Sequence, residues 1–193
     1  MKARIHGNKI LKRRSNVQVQ SDYHNYLDDL RTDFKDTCGY CGKTTTITKN
    51  AFEIDHFVPK SIDESRINDY NNLVYSCYQC NRKKHNKWPT NDPNIPNNGI
   101  NGFVDPTSNE YDLHIERTEN GDIIGLSEVG RYMVKAFAFD KRPMRELWQL
   151  MKLAEEKERL LSCNAKDPET FKCWQEVANQ IDQLLNFMFL KKE

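Results

Sequence analysis

Two Cys-x-x-Cys pairs, Cys38-Gly39-Tyr40-Cys41 and Cys77-Tyr78-Gln79-Cys80, constrain this chain more than any other feature. A two-residue gap lets each pair grip one ion from a tight turn, and Gly39 and Gly42 ease the turn. Four thiolates arranged in this way predict a single tetrahedral zinc with no open coordination position. Such a metal is structural and staples the start of the 38–80 segment to its end. Four unrelated buried cysteines or two redox motifs are the alternatives, and the paired spacing favours zinc. Folding should then be coupled to the metal, so that a chelator unfolds this region. Cys163 and Cys173 stand at no ligand spacing and read as small buried hydrophobes in a helical tail.

A length of 193 residues allows one domain with a helical extension. The composition is 37% hydrophobic and 30% charged with a net charge of +1, so a nucleic-acid partner does not follow from total charge. Positive charge is nevertheless clustered, in "MKARIHGNKILKRR" (1–14) and "NRKKHNK" (81–87), and local basic clusters can bind phosphate. No apolar run reaches the ~20 residues that span a bilayer. The basic start lacks the apolar stretch of a secretory signal. A cytoplasmic protein is expected.

The pattern of elements predicts an α+β fold: a zinc-stapled ββα core, an additional β-hairpin and a helical C-terminal region. Residues 1–20 read as a poorly ordered basic arm, 21–127 as the stapled domain with its hairpin, and 128–193 as helices. From Ser21, an expected N-cap, Tyr23, Tyr26, Leu27, Leu30 and Phe34 recur at helical spacing to about Asp36. "AFEIDHFV" (51–58) and "LVYSC" (73–77) read as strands. A short helix from Gln79 to about Lys87 is stopped by Pro89. The Pro- and Asn-rich stretch 88–102 reads as a loop. Residues 111–127 read as a hairpin turning at Asn120-Gly121. Helices are expected from Glu128 to Phe139, from Pro143 to Leu161, and after the capping pair Asp167-Pro168.

Inside the stapled stretch, a charged Asp55-His56 pair interrupts the apolar run "FEIDHFVPKS". These residue types suit phosphodiester hydrolysis. A histidine with a pKa near neutral can take a proton from water. A hard divalent cation, magnesium or manganese, can relieve charge on the phosphorus oxygens, using oxygen ligands such as Asp55 and the amide of Asn81. Asn72 can hold His56 or the loop in place. Arg82, Lys83, Lys84, His85 and Lys87 can meet the backbone of a nucleic acid, although His85 reads more readily as an ordinary helix-end histidine. Neighbours in a regular strand point to opposite faces. Asp55 and His56 therefore share a site only if the strand bends or ends there, and Pro59 marks such an ending. His114 receives no role. His6 and His24 read as surface or arm residues, and Tyr75 and Tyr78 as core.

Taken together, Cys38-x-x-Cys41, Asp55-His56, Asn72-Leu73 and Cys77-x-x-Cys80-Asn81-Arg82-x-Lys84 resemble the zinc-stapled branch of the HNH endonucleases, the ββα-metal nucleases. The resemblance spans about residues 38–87. It implies His56 as general base, Asp55 and Asn81 as holders of the catalytic metal, and Asn72 as the structural member of the catalytic set. Asn rather than His at the third position favours magnesium or manganese. The expected products carry 5′-phosphate and 3′-hydroxyl ends. Residues 103–148 resemble, more loosely, the region after the core in many bacterial HNH proteins. The basic start and helical tail resemble small HNH partners of ATPases in anti-phage systems such as Septu and some retrons. DNA is the expected partner, with an ATPase partner and a homodimer as further expectations. Two rivals stand beside this reading: an RNA-cutting nuclease, and a zinc-dependent nucleic-acid-binding module without catalysis.

Overall fold

The computed structural model describes residues 4–48, 51–163 and 167–189. The first three residues of the expected arm and residues 190–193 of the expected tail lie outside them.

At the centre is a two-stranded antiparallel ribbon, β1 (Phe52–His56) paired with β2 (Leu73–Cys77), which runs directly into helix α2 (Tyr78–Lys84). The register sets Phe52 opposite Cys77 and His56 opposite Leu73. Every residue of β2 is buried. Helix α1 (Leu27–Asp33) packs on β2, and α2 packs on both strands. A 3-10 turn, Tyr23–Tyr26, precedes α1, and its cap is Asp22 rather than Ser21, accepting from the His24 backbone N–H. Tyr26, Leu30 and Phe34, which share the inner helical face, are buried.

The N-terminal stretch is not a loose arm. Ile5 and Leu11 are buried in the core, and His6 is only 7% exposed. Arg13 donates to Leu73 O at 2.8 Å and pairs with Asp105 at 2.9 Å. Arg4 pairs with Asp112, and Arg14 with Asp29 and Asp33. These arginines are thus paired with carboxylates of the folded chain, which offset part of the positive charge that the run carries in sequence.

The segment after the core wraps back over it. Helix α3 (Tyr111–His114) takes the place of the first residues of the expected hairpin. The hairpin itself is shorter, β3 (Ile115–Arg117) against β4 (Ile123–Gly125), and turns through Gly121 at φ +99°. Helix α4 (Glu128–Ala136) follows, capped by the Ser127 side chain on the Gly130 N–H. Phe103, Phe137, Phe139, Tyr40 and Trp88 form a continuous aromatic contact through the core. Each such ring contributes roughly 1.5–3 kcal/mol by burial.

Helices α5 (Met144–Ser162) and α6 (Pro168–Phe189) form a long hairpin. No residue of α6 is fully buried. Cys163 and Cys173 are exposed, contrary to their reading as buried hydrophobes; Cys163 caps the C-terminus of α5, and Cys173 lies near the start of α6, none of whose residues is buried. No described helix is long and apolar enough to cross a membrane.

Candidate active site and its zinc frame

The two knuckles meet. The four sulfurs of Cys38, Cys41, Cys77 and Cys80 lie within 4.8 Å of one another, and all four residues are buried. A tetrahedral zinc with sulfurs at ~2.3 Å requires edges of roughly 3.8 Å. Cys41 Sγ and Cys77 Sγ stand 3.8 Å apart. The acid–base chemistry agrees. Burial pushes the Cys38 and Cys80 thiols up, while hydrogen bonds from the other sulfurs, Cys38 first, hold Cys41 well down. Four thiolates can coexist in so dry a box only around a cation, so these residues fit a structural zinc.

Gly42 is required by the knuckle. Its φ is +72°, and a Cβ there would meet Ile5 O at 2.1 Å. Gly39 is needed instead for close packing, since a Cβ would meet Phe34 and Val74 side-chain atoms at 2.8 Å. Residues from the downstream segment coat the frame. Tyr111 Oη donates to Tyr40 O at 2.8 Å, and Arg117 Nη2 to Cys41 O at 2.5 Å. Arg142 Nη1 lies 3.3 Å from Cys80 Sγ. Nothing in the motif pattern marks these three residues. They lie outside the stapled segment and act through main-chain carbonyls or a sulfur.

Asp55, His56 and Asn81 line one cavity of about 280 Å³, together with Tyr23, Glu53, Lys60, Arg82 and His85. β1 ends at His56, and the chain bends at Phe57 and Val58 before Pro59. This ending lets sequence neighbours share the cavity. A larger groove of about 700 Å³ between α5 and α6 holds none of the residues singled out from sequence.

Asp55 is 5% exposed. Its Oδ2 accepts from Tyr40 Oη at 2.5 Å and pairs with Lys84 Nζ at 3.2 Å. Burial raises the Asp55 carboxyl pKa, and the Lys84 charge opposes that rise. The same burial lowers Lys84. Lys84 was expected to reach phosphate, yet it has no exposed surface and also donates to His56 O at 2.7 Å. It faces inward from α2 and braces the end of β1.

His56 Nε2 bonds Ile67 O at 2.8 Å. A carbonyl only accepts, so Nε2 carries the proton and Nδ1 is the basic nitrogen. The Tyr23 ring meets the imidazole edge-on at 4.7 Å, and Lys60 Nζ lies 4.1 Å from the Tyr23 centroid. Burial first, then the nearby lysine charges, lower His56 to about 4.

Asn72 does not enter the cavity. Its Oδ1 accepts from the Val58 N–H at 2.8 Å, and its Nδ2 donates to Val58 O at 3.0 Å. It clamps the loop that follows His56 rather than His56 itself. Asn81 Nδ2 donates to Glu53 Oε2 at 2.7 Å.

Of the five residues expected at the nucleic-acid backbone, Arg82 and His85 line the cavity. Lys83 is exposed nearby. Lys87 is exposed, but its ammonium is tied to Lys83 O and Ala136 O at 2.6 and 3.0 Å. Tyr78, read as core, is 48% exposed beneath the Arg82 guanidinium. Sequence reasoning missed Glu53, Tyr23 and Lys60. Glu53 carried a signal, because it precedes Asp55 by two in a strand and so shares its face. Tyr23 gave none, since its spacing is that of a packed helix.

A two-stranded ribbon running into a helix, pinned by a four-cysteine cluster, with a cavity holding Asp, His and Asn side chains, defines a zinc-stapled ββα unit. Residues 38–87 match the family model of the HNH endonuclease, so the chain carries an HNH endonuclease domain. No curated protein and no solved structure matches the chain.

Proposed function

We propose that the protein is a metal-dependent endonuclease that hydrolyses phosphodiester bonds of DNA, with His56 as general base. The convergence of Asp55, His56 and Asn81 in one cavity beside the four-cysteine frame carries this reading. His56 is held by Ile67 O with Nδ1 as its basic atom. Its lowered pKa keeps the ring neutral at pH 7 and able to accept a proton from water. An anionic phosphate in the cavity raises that value again and improves the driving force for transfer. Asp55 and the Asn81 amide oxygen are oxygen donors of the kind magnesium and manganese prefer. Such a cation, when bound, supplies charge relief at the phosphorus and leaving oxygens. Lys84 opposes the rise that burial imposes on the Asp55 carboxyl, and Arg82, with its guanidinium over the Tyr78 ring, is set to take phosphate. The DNA substrate, an anti-phage setting and an ATPase partner rest on the sequence resemblance.

The test is nicking of supercoiled plasmid with magnesium or manganese against EDTA, wild type beside His56→Ala. Wild type should nick only with metal. The variant should lose roughly a hundredfold or more of the rate with its zinc content intact. Undiminished nicking by His56→Ala removes the assigned base. Cleavage of RNA but not plasmid transfers the reading to RNA. Binding without cleavage under either metal makes the protein a binding module.

A further inference from the structure

We infer that Glu53 is a positioning residue of this site, acting through Asn81; the inference rests on the proposed metal-dependent reading. Glu53 lies on the same face of β1 as Asp55, two residues earlier, and lines the same cavity. Its Oε2 takes the Asn81 Nδ2–H at 2.7 Å. An ionised carboxylate can only accept hydrogen bonds, so it dictates which end of the amide it receives. With Nδ2 held by Glu53, Oδ1 is left on the opposite edge of the planar group. Among the described residues Oδ1 accepts no hydrogen bond.

An amide that must ligate a cation has two orientations, and only one is useful. Turned the wrong way, it points two N–H dipoles at a positive charge. Nothing in Asn81 itself selects between them, and Glu53 does. The carboxylate also adds negative charge beside the cation position. Among the described residues, however, no third His, Cys, Asp or Glu donor atom joins any pair outside the cysteine quartet within reach of one ion. This favours an orienting role for Glu53 over membership of a carboxylate cage.

The experiment measures Mn²⁺ affinity of the zinc-loaded full chain by electron paramagnetic resonance of free Mn²⁺, with zinc stoichiometry and plasmid nicking in parallel. Glu53→Ala should weaken Mn²⁺ binding by roughly ten- to a hundredfold, as loss of a partner that orients a metal ligand does, and leave zinc at one per chain. Glu53→Gln can accept the same bond without the charge and should stay within about threefold of wild type. Asn81→Ala should bind as weakly as Glu53→Ala or more so, and the double variant no more weakly than Asn81→Ala alone. Unchanged affinity in Glu53→Ala overturns the inference. So does Glu53→Gln binding as poorly as Glu53→Ala, because the carboxylate would then be a ligand itself. Full additivity in the double variant overturns it too, because Glu53 would then act independently of Asn81. A zinc-loaded wild type that binds no Mn²⁺ overturns the metal-dependent reading itself and this inference with it. That outcome is separable, because it appears before any substitution is made.

Discussion

Lys84 is the residue on which the site's electrostatics turn. A lysine without exposed surface costs several kcal/mol to desolvate, and its contacts with Asp55, the His56 carbonyl and the Phe103 ring offset that cost. Lys84→Met keeps the volume but strands the Asp55 carboxyl in a dry site, with Tyr40 as its one remaining side-chain partner. The expected loss is about 3–5 kcal/mol, measured by urea unfolding, together with a higher Asp55 pKa and weaker nicking at pH 7. Retained stability in that variant would show the pair to be unimportant. The buried histidines make a second prediction. His6 and His56 are lowered from 6.5 to about 4, in both cases chiefly because burial disfavours the charged ring. Their folded values lie below their unfolded ones, so the unfolded chain binds more protons between pH 6.5 and 4. Stability is therefore full above 6.5 and falls as the pH drops through that window. The fully buried His6 can contribute up to about 3 kcal/mol, and the partly solvated His56 less. Urea midpoints should drop across the window in wild type and less steeply in His6→Gln. Parallel slopes would exclude His6 as a source.

At the scale of elements, both strands of the core and the helix after them were legible, because strand alternation and cysteine spacing point the same way; the helix nevertheless ends at Lys84, where His85 takes φ +47°, and not at a stop set by Pro89. The shared cavity of Asp55 and His56 was legible only as a condition, since strand periodicity alone sets neighbours apart. Lys84 was misread for a physical reason. In a run of four basic residue types, Arg82-Lys83-Lys84-His85, sequence does not show which side chain the helix turns inward. The N-terminal stretch was misread because its arginines find Asp29, Asp33, Asp105 and Asp112 only in the folded chain. Two elements lend themselves to test. Gly42→Ala forces a side chain into both a left-handed φ and the Ile5 carbonyl. It should lower the melting temperature and detach the N-terminal stretch, seen as faster amide exchange at residues 5–11. Removal of residues 164–193 takes away α6, which packs on α5 and buries none of its own residues completely. Zinc content and nicking should persist in that truncated protein. Loss of either would place α6 in the working unit.

For the whole molecule, the metal frame and the site are one mechanical object. Tyr40 sits between Cys38 and Cys41 and grips Asp55 Oδ2, while Lys84 follows Cys80 by one helical turn and meets the same oxygen. Zinc removal by a chelator, or Cys77→Ser, should therefore abolish cutting together with the core fold, read as loss of the near-ultraviolet circular dichroism of the packed aromatics. A metal-free protein with an intact aromatic signal would separate the two. The frame also has an order in time. Tyr111, Arg117 and Arg142 complete its coat, yet the ribosome makes them long after the four cysteines. The nascent chain lacks the donor to the Tyr40 carbonyl until residue 111 is made, the donor to the Cys41 carbonyl until residue 117, and the guanidinium beside Cys80 until residue 142. The candidate site is thus finished only once residue 142 has been made, and a chain terminated before that point is built without its hold on Asp55 fully braced.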